Sequence, residues 1–598
     1  MKWYIYRLKT MNLLEIIWRI KQKIKYIYES KKYKNIKIYD KVLSGKLRKI
    51  NININKLNIN YNNKNYTLNT NVKLLGNYKY NKYKTSWNYC FNKNNIYPDT
   101  LSYNLNYKNN ILYGDARINW ELNRHYQFII LSKNYFITKN KKYLKEFIYL
   151  FNNYNENNLF LHGISWTSIM EIAIRCNSWT YAYAFLYKTD INKEILNKIK
   201  ISIINMTDYI YKHYSKYSSA NNHLIIESYI LLQSGILFNY KKWLNKGYKI
   251  LNKELYKQNY KDGINKEMST HYQLFYLEAM GLSIRLLKNN NIYIPSNWYT
   301  LLKKMIGYIY NLKIGDNIII FGDNDEGKIL DINGNVNYLE YVLSLYSIIL
   351  NKQYIKNCNN ENINWLYKEK QINNKKNNIK EYNNICYKSG VTILNSMDNK
   401  VKIAIDHGNL GYKSIKAHGH ADALSFILSI NNKIIFIDPG TYVYHNNIEA
   451  RNYYRKTINH NTVEINNKDQ AKILGPFLWG KSYKCKILEY KNKKDEIILK
   501  VSHNGYKKII HTRTFIFNKK NKLIIIDEFN KECNKIINFN ILDDNKYVKI
   551  NYISNEPYTI NKIDNKYSPK YNTEKKMKSI RIKTKSNKFI TKITLTNI

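Results

Sequence analysis

Acidic side chains are in short supply in this 598-residue chain: 44 Asp and Glu stand against 97 Lys and Arg, a formal net charge of +53. Such a charge attracts polyanions at long range. The lysines are spread along the whole chain instead of gathering in one arm or helix, so the charge is not read as a nucleic-acid footprint and no nucleic-acid partner is expected. The six cysteines, Cys90, Cys176, Cys358, Cys386, Cys485 and Cys533, contain no C-x-x-C pair. That excludes a zinc ribbon and a thioredoxin-like motif and suits a reducing compartment or simple buried thiols. Pro (6) and Gly (21) are scarce while Asn, Ile and Lys crowd the polar stretches, a bias that fits AT-rich coding as well as selection. No apolar run approaches the length of a membrane span. Hydrophobic residues nonetheless make up 44% and aromatics 15%, with 59 Tyr, which excludes wholesale disorder. At this length two or three domains are expected.

The first residues, MKWYIYRLKTMNLLEIIWRIKQKIKYIY, begin like a signal peptide, but Arg7, Lys9, Glu15 and Arg19 interrupt the apolar stretch and no small-residue cleavage site follows. The compartment expected by default is therefore the cytoplasm, in a bacterium. Ile16, Ile17, Ile20 and Ile24 recur at helical spacing beside Lys and Arg. A stripe of this kind is most often a helix docked on its own protein; the other reading is peripheral contact with an anionic membrane surface.

Residues 1–112 form a lead-in region, with Lys41 to Tyr83 expected to be extended or irregular. Over residues 113–368 apolar side chains recur at three- and four-residue spacing, as in Trp166 to Leu186, His223 to Leu237 and Tyr272 to Leu287, which predicts a mainly helical domain. Residues 369–384, dense in Lys and Asn, read as a linker. Over residues 385–598 the chain turns to short alternating runs such as Val401 to Ile405, Leu424 to Ile430, Lys433 to Ile437 and Leu523 to Ile526, and Asn431-Asn432 reads as a tight hairpin. The fold class expected is a helical domain followed by an antiparallel β-sandwich.

Residues of catalytic type gather at a few places against the Asn/Lys background. Ser219-Ala220-Asn221-Asn222-His223 opens a helical segment continuing to Glu227, placing Asn222 where the helix dipole and free N–H groups favour an anion, or where an ordinary cap would sit. Glu267, His271, Tyr272 and Gln273 form a polar knot at another helix start, a place for an acid/base group facing a cleft. The sandwich half carries Ala417-His418-Gly419-His420-Ala421-Asp422, Asp438-Pro439-Gly440 and Asn459-His460-Asn461-Thr462. His420, Asp438 and His460 make an N₂O set of the kind zinc accepts, although spacing this irregular also suits ordinary histidines.

Trp120-Glu121-Leu122-Asn123-Arg124, Trp166 with Met170-Glu171 and Arg175, Asn222-His223 with Glu227, Asp262-Gly263 with Glu267, Ser269 and Tyr272, His418-Gly419-His420-Ala421-Asp422, Asp438-Pro439-Gly440, Arg451 with Arg455, and His460-Asn461-Thr462 with Gln470 stand in one order along the chain. In that order they resemble the heparinase II/III family of polysaccharide lyases, over roughly Tyr113 to the C-terminus. The resemblance implies an incomplete (α/α) toroid followed by an antiparallel β-sandwich, and β-elimination on a uronate-containing acidic polysaccharide. It implies that Asn222, helped by His223, neutralises the uronate carboxylate, an oxyanion-hole task. Tyr272 would be Brønsted base, acid or both, with His418 as partner, and a Tyr base needs neighbours that lower its pKa from about 10. Arg175, Arg451 and Arg455 are expected to supply that field. Arg124, Glu171, Arg175 and Glu227, with the two sandwich arginines, are expected to serve the substrate cleft, and Trp166 to stack on a sugar. The alternative for this group is a Glu171–Arg175 pair at i,i+4 beside a core Trp. The resemblance also implies a structural metal, zinc, on His420, Asp438 and His460. Gly419 would supply the bend that lets His418 and His420 differ in role. In this chain Gln273 follows Tyr272 where many relatives have His.

Two other readings compete. One is a non-catalytic glycan-binding or assembly protein of a cell-surface polysaccharide pathway. The other is hydrolysis by Asp323 and Asp325 in Phe321-Gly322-Asp323-Asn324-Asp325-Glu326-Gly327. Alternate residues on one loop are badly placed to flank a glycosidic bond from opposite sides, so hydrolysis ranks last.

Overall fold

The computed structural model describes residues 2–33, 35–41, 45–70, 72–78, 81, 85–109, 111–356, 358, 360–368, 384–542 and 547–596. The expected linker over 369–384 lies outside the described residues, except that Asn384 opens the first strand of the sandwich half.

Helices run from Ala116 to Leu366 in two layers. Tyr126–Thr138, Ile169–Leu186, Asn222–Leu237, Thr270–Asn289 and Tyr338–Ile349 pack in succession on one another as an inner row. Lys141–Asn157, Lys193–His213, Lys241–Lys257, Ser296–Asn311 and Glu361–Leu366 each back a member of that row, the pairwise packing of an (α/α) toroid. Composition decides which helix goes where. Every residue from Met170 to Leu186 is buried, so this helix needs apolar or internally satisfied side chains all round. In Lys241–Lys257 only Trp243, Gly247, Leu251, Glu254 and Leu255 are buried, a single stripe facing inward with lysines outside.

The second half is antiparallel. A nine-stranded sheet runs in the order Tyr558–Lys570, Thr573–Thr584, Lys535–Ile541, Lys433–Phe436, Phe426–Ile430, Val401–Asp406, Val391–Asn395, Asn384–Tyr387, with Val463–Ile465 also paired to Lys535–Ile541. A six-stranded sheet runs Cys485–Asn492, Ile497–Tyr506, Ile509–Phe517, Lys522–Phe529, Lys588–Leu595, Val548–Ser554. Lys522–Phe529 alternates strictly between buried and half-buried residues, the period of a sheet with one face on a core. The Phe426 ring packs on Phe436 and Phe539 within its own sheet and on Phe515 of the other, 6.0 Å between centroids, so the core lies between the sheets. Asn431 and Asn432 both take positive φ, 49° and 63°, and turn Phe426–Ile430 into Lys433–Phe436, the conformation for which paired Asn is suited.

The lead-in between the first helices and Ala116 holds short 3₁₀ turns at Gly45–Lys49, Ile54–Leu57 and Leu75–Asn77. The helix Leu13–Lys32 docks on the protein, but through its polar side: the residues it buries are Glu15 and Glu29. Of the expected stripe, Ile17, Ile20 and Ile24 face outward and Ile16 is half-buried, the reverse of the commoner outcome.

Candidate active site

Two helix starts form one wall of a cleft. Asn221 caps Asn222–Leu237, accepting the His223 N–H, and the Asn222 backbone N–H and Nδ2 donate to the two carboxylate oxygens of Glu267 at 3.0 and 2.8 Å. The N–H groups expected to await an anion are therefore already taken, and the anion at this helix end is Glu267 itself. What Asn222 keeps is a fixed amide whose buried Oδ1 has no partner. Ser269 caps Thr270–Asn289 by accepting the Tyr272 N–H, and its hydroxyl donates to the Asp323 carbonyl at 2.6 Å. Tyr272 thus sits in the first turn with its hydroxyl 3.1 Å from that of Tyr444, which comes from the sandwich.

The facing wall hangs on one carboxylate. Asp323, fully buried, receives Nδ1 of His418 at 3.1 Å on Oδ2, Nε2 of His420 at 3.0 Å on Oδ1, and both terminal nitrogens of Arg451 at 2.5 and 2.7 Å. Its backbone N–H also donates to the His418 carbonyl. Burial alone would raise this carboxyl, but Arg451 and the two histidines hold it well below the ordinary range. Close backbone approach makes this possible. A Cβ at Gly322 would meet the carbonyl oxygens of Met268 and His418, and one at Gly419 would collide with that of Leu410. Residues 407–425 around His418 and His420 are loop, and both rings turn to the same carboxylate from either side of Gly419.

Tyr272 and His418 meet across the cleft with their rings stacked, 3.8 Å between centroids and 27° between planes. The cavity they share, about 430 Å³, is lined also by His223, Arg117, Trp120, Tyr444 and Phe477. Nε2 of His418 points toward Glu267, 3.7 Å away. The expectation that neighbouring cations lower the Tyr272 pKa fails: burial, with the Asp325 and Asp323 carboxylates next, holds the phenol well above its ordinary value. The arginines expected to act on it are spent elsewhere, Arg451 on Asp323 and Arg175 and Arg455 on backbone carbonyls, while Arg117, not among them, is paired with Asp325. His223 is driven down to about 4, mainly by burial, and is neutral above that pH.

Asp325 accepts Nε of Arg117 at 2.7 Å and lies 3.4 Å from Nε2 of His271. Like Asp323, it is held well below the ordinary carboxylate range despite burial. Neither can offer a proton to a leaving group, which removes the paired-carboxylate reading.

Over residues 12–347 the chain matches the heparinase II/III N-terminus, and over residues 386–596 the heparinase II/III-like C-terminal domain. The chain belongs to the heparinase II/III family. The match starts near the N-terminus, well ahead of the motifs from Tyr113 onward. A heparin-sulfate lyase of Bacteroides thetaiotaomicron is 23% identical over 480 residues, covering 74% of this chain and 64% of that protein. One of Bacteroides stercoris is 24% identical over 457 residues, covering 69% and 62%. The chain thus spans less than two thirds of the length of these relatives. A crystal structure of heparinase III superposes with a TM-score of 0.68 at 17% identity, covering 94% of this chain and 87% of that one, and it shares the fold.

Several residues that the family resemblance assigns to substrate are internal supports here. Trp166 is 2% exposed, edge-on to Phe160 and Tyr209, with the Arg175 guanidinium 5.0 Å above its ring, so it has no face for a sugar. The Glu171–Arg175 pair does not form either. Glu171 takes Arg124 in two parallel bonds of 2.7 and 2.9 Å, and Arg175 donates to the carbonyls of Asn123 and Ser165. Of these four only Glu171 lines the cleft. Glu227 is buried on the Ser215 N–H and hydroxyl, and burial raises its carboxyl to about 8. Arg455 is buried against Trp479 and donates to Asn452 and the Gly475 carbonyl. Gln273 braces the loop before the helix, accepting from Asn265 and donating to the carbonyls of Gly263 and Met305, which turns it away from the cleft.

The family also implies a metal, and the residues present fit one. His420, Asp422 and His460 offer ligand atoms within 4.8 Å of one another, all buried. Nδ1 of His420 and Nε2 of His460 are buried without a hydrogen-bond partner, as ring nitrogens awaiting an ion would be. Asp438 stands differently from expectation: it accepts Nδ1 of His460 at 2.8 Å and the Gly440 N–H at 2.9 Å, the position of a carboxylate that orients a ligand from behind.

Sequence reading missed Tyr444, which lines the cleft, and Asp115, buried behind it. Asp115 caps Ala116–Asn123 and accepts the Tyr444 N–H at 2.7 Å and the Tyr571 hydroxyl at 2.5 Å, tying the sandwich to the helical wall. A lone Asp and one Tyr of 59 give no local signal.

Proposed function

We propose that this protein is a polysaccharide lyase that cleaves a uronate-containing acidic polysaccharide by β-elimination. The observation that carries this reading is the stacked Tyr272–His418 pair in a cleft between the two halves of a heparinase II/III fold, with the Asn222 amide fixed behind it on Glu267, the carboxylate that His418 Nε2 faces. The likeness to heparin-sulfate lyases supports the reaction class.

Removing the C5 proton of a uronate requires first that its carboxylate be relieved of charge. Neutral His223 lines the cavity, and Asn222 next to it has an N–H beyond the one given to Glu267, so hydrogen bonds supply that relief. His418, oriented through Nδ1 by an ionised Asp323, presents Nε2 as the base. Tyr272 keeps its proton because its pKa is raised, and serves as the acid. The departing sugar oxygen is far more basic than a phenolate, so a neutral phenol can protonate it. Trp120 and Phe477 give the cavity flat apolar walls suited to sugar faces. A protein that only bound glycan would have no need of an acid/base pair in ring contact.

We further propose a structural zinc held by His420, Asp422 and His460, with Asp438 orienting His460. When bound it would cross-link the loops that carry His418, and none of the proton transfers passes through it.

Incubation with a panel of uronate polymers should yield the ultraviolet absorbance of a 4,5-unsaturated uronate. New reducing ends without that chromophore would rule out elimination. Metal analysis should find zinc in the purified wild type and little in His460→Ala; a metal-free wild type removes the zinc proposal.

A further inference from the structure

The helix Leu13–Lys32 is mounted inside out. Its two carboxylates point inward: Glu15 binds Arg7, Arg19 and Ser218, and Glu29 binds His213. Between them Trp18, Arg19 and Tyr26 reach the cleft. The other face carries Leu13, Ile17, Ile20, Ile24 and Ile27, one residue per turn in a continuous line and 40 to 71% exposed, flanked by exposed Leu14 and Tyr28. Contiguous exposure of that kind marks a contact surface. Its charged border is of one sign: Lys21, Lys23, Lys31 and Lys32 are exposed, and the helix has no outward carboxylate.

We infer that this face docks on an anionic lipid bilayer, the helix lying in the interface with its isoleucines among the acyl chains and its lysines at the headgroups. Charge complementarity selects this occupant over a second copy of the chain, because pairing two such helices would set Lys21 and Lys23 of one against lysines of the other. Spanning is not at issue, since no helix among the described residues is long and apolar enough to cross a membrane. Because the inward face of the same helix lines the cleft, docking would present the active site to polysaccharide at the membrane surface. This rests on the mounting of the helix and not on the lyase reading.

The test is co-sedimentation of the full chain with phosphatidylcholine vesicles, with and without phosphatidylglycerol, beside its elution volume in their absence. Binding is expected only with phosphatidylglycerol, weakened by salt, and reduced at least about tenfold in the double variant I20D/I24D, each change removing an apolar anchor and adding a repelled charge. These side chains touch neither the cleft nor a core, so thermal melting and turnover on soluble substrate should not change. No binding to anionic vesicles, or binding unaffected by the double variant, overturns the inference. A wild type that elutes as a dimer while I20D/I24D elutes as a monomer also overturns it, by assigning the face to a second copy.

Discussion

The two walls of the cleft are built on different principles. On the helical side Asn222, His223 and Tyr272 occupy first turns of buried helices, where backbone geometry and the caps Asn221 and Ser269 fix them. On the sandwich side His418 sits in an irregular loop and is fixed by charge, through Asp323 and Arg451. Helix starts give direction at little electrostatic cost. A loop needs a pin, and a buried ion pair is a strong pin only while both partners are present. The pin comes from the opposite domain, so placing His418 and closing the interface are one event.

That contrast can be broken from either side. Tyr272→Phe removes a hydroxyl from a rigid wall and should lower turnover about 10³- to 10⁴-fold with unchanged melting, since the ring and its stacking remain; full activity would take Tyr272 out of the mechanism. Asp323→Asn should act on fold and rate together. It leaves Arg451 buried without its counter-charge, an expected loss of about 3–5 kcal/mol in chemical denaturation, and it frees His418. A stable variant impaired only in rate would show that the loop holds itself.

A smaller effect is expected from His223→Gln, read in the pH dependence of stability. The folded-state pKa of about 4 lies below the unfolded value of about 6.5, so only the unfolded chain takes up this proton as pH falls from 6.5 to 4. Stability is lost across that window, and the variant should be spared about 3 kcal/mol of the loss at pH 4. Equal acid sensitivity in both proteins would mean that the ring is solvated. Smallest of all, Trp166→Phe should cost about 1–2 kcal/mol of stability and leave KM unchanged, because the indole packs in the helical core. A raised KM would return Trp166 to the cleft.

Much of this was legible in the chain. Three- and four-residue spacing marked the inner helices, alternation marked the strands, and Asn431-Asn432 marked its turn, because each is a local pattern. Asn222, Tyr272 and His418 stood out because polar clusters interrupt those patterns. The partners of the arginines were not legible. Arg124 reaches Glu171, Arg117 reaches Asp325 and Arg451 reaches Asp323, 128 residues away, while the obvious i,i+4 partner of Arg175 goes unused. For the same reason the sequence could not say whether Tyr272 would be raised or lowered: that depends on which charges remain uncompensated beside it.

By itself, then, the sequence determined the order of helical and sheet halves, the family, and the Tyr272 and His418 that face one another in the cleft. Periodicity and capping are properties of neighbouring residues and need no folded chain to be read. The tertiary structure alone decided that Asp323 binds both His418 and His420, that Asp422 groups with His420 and His460 while Asp438 bonds Nδ1 of His460, and that the first long helix turns Ile17, Ile20, Ile24 and Ile27 outward. Those outcomes depend on which buried charges find partners across the fold, and a buried charge is settled by distance in space.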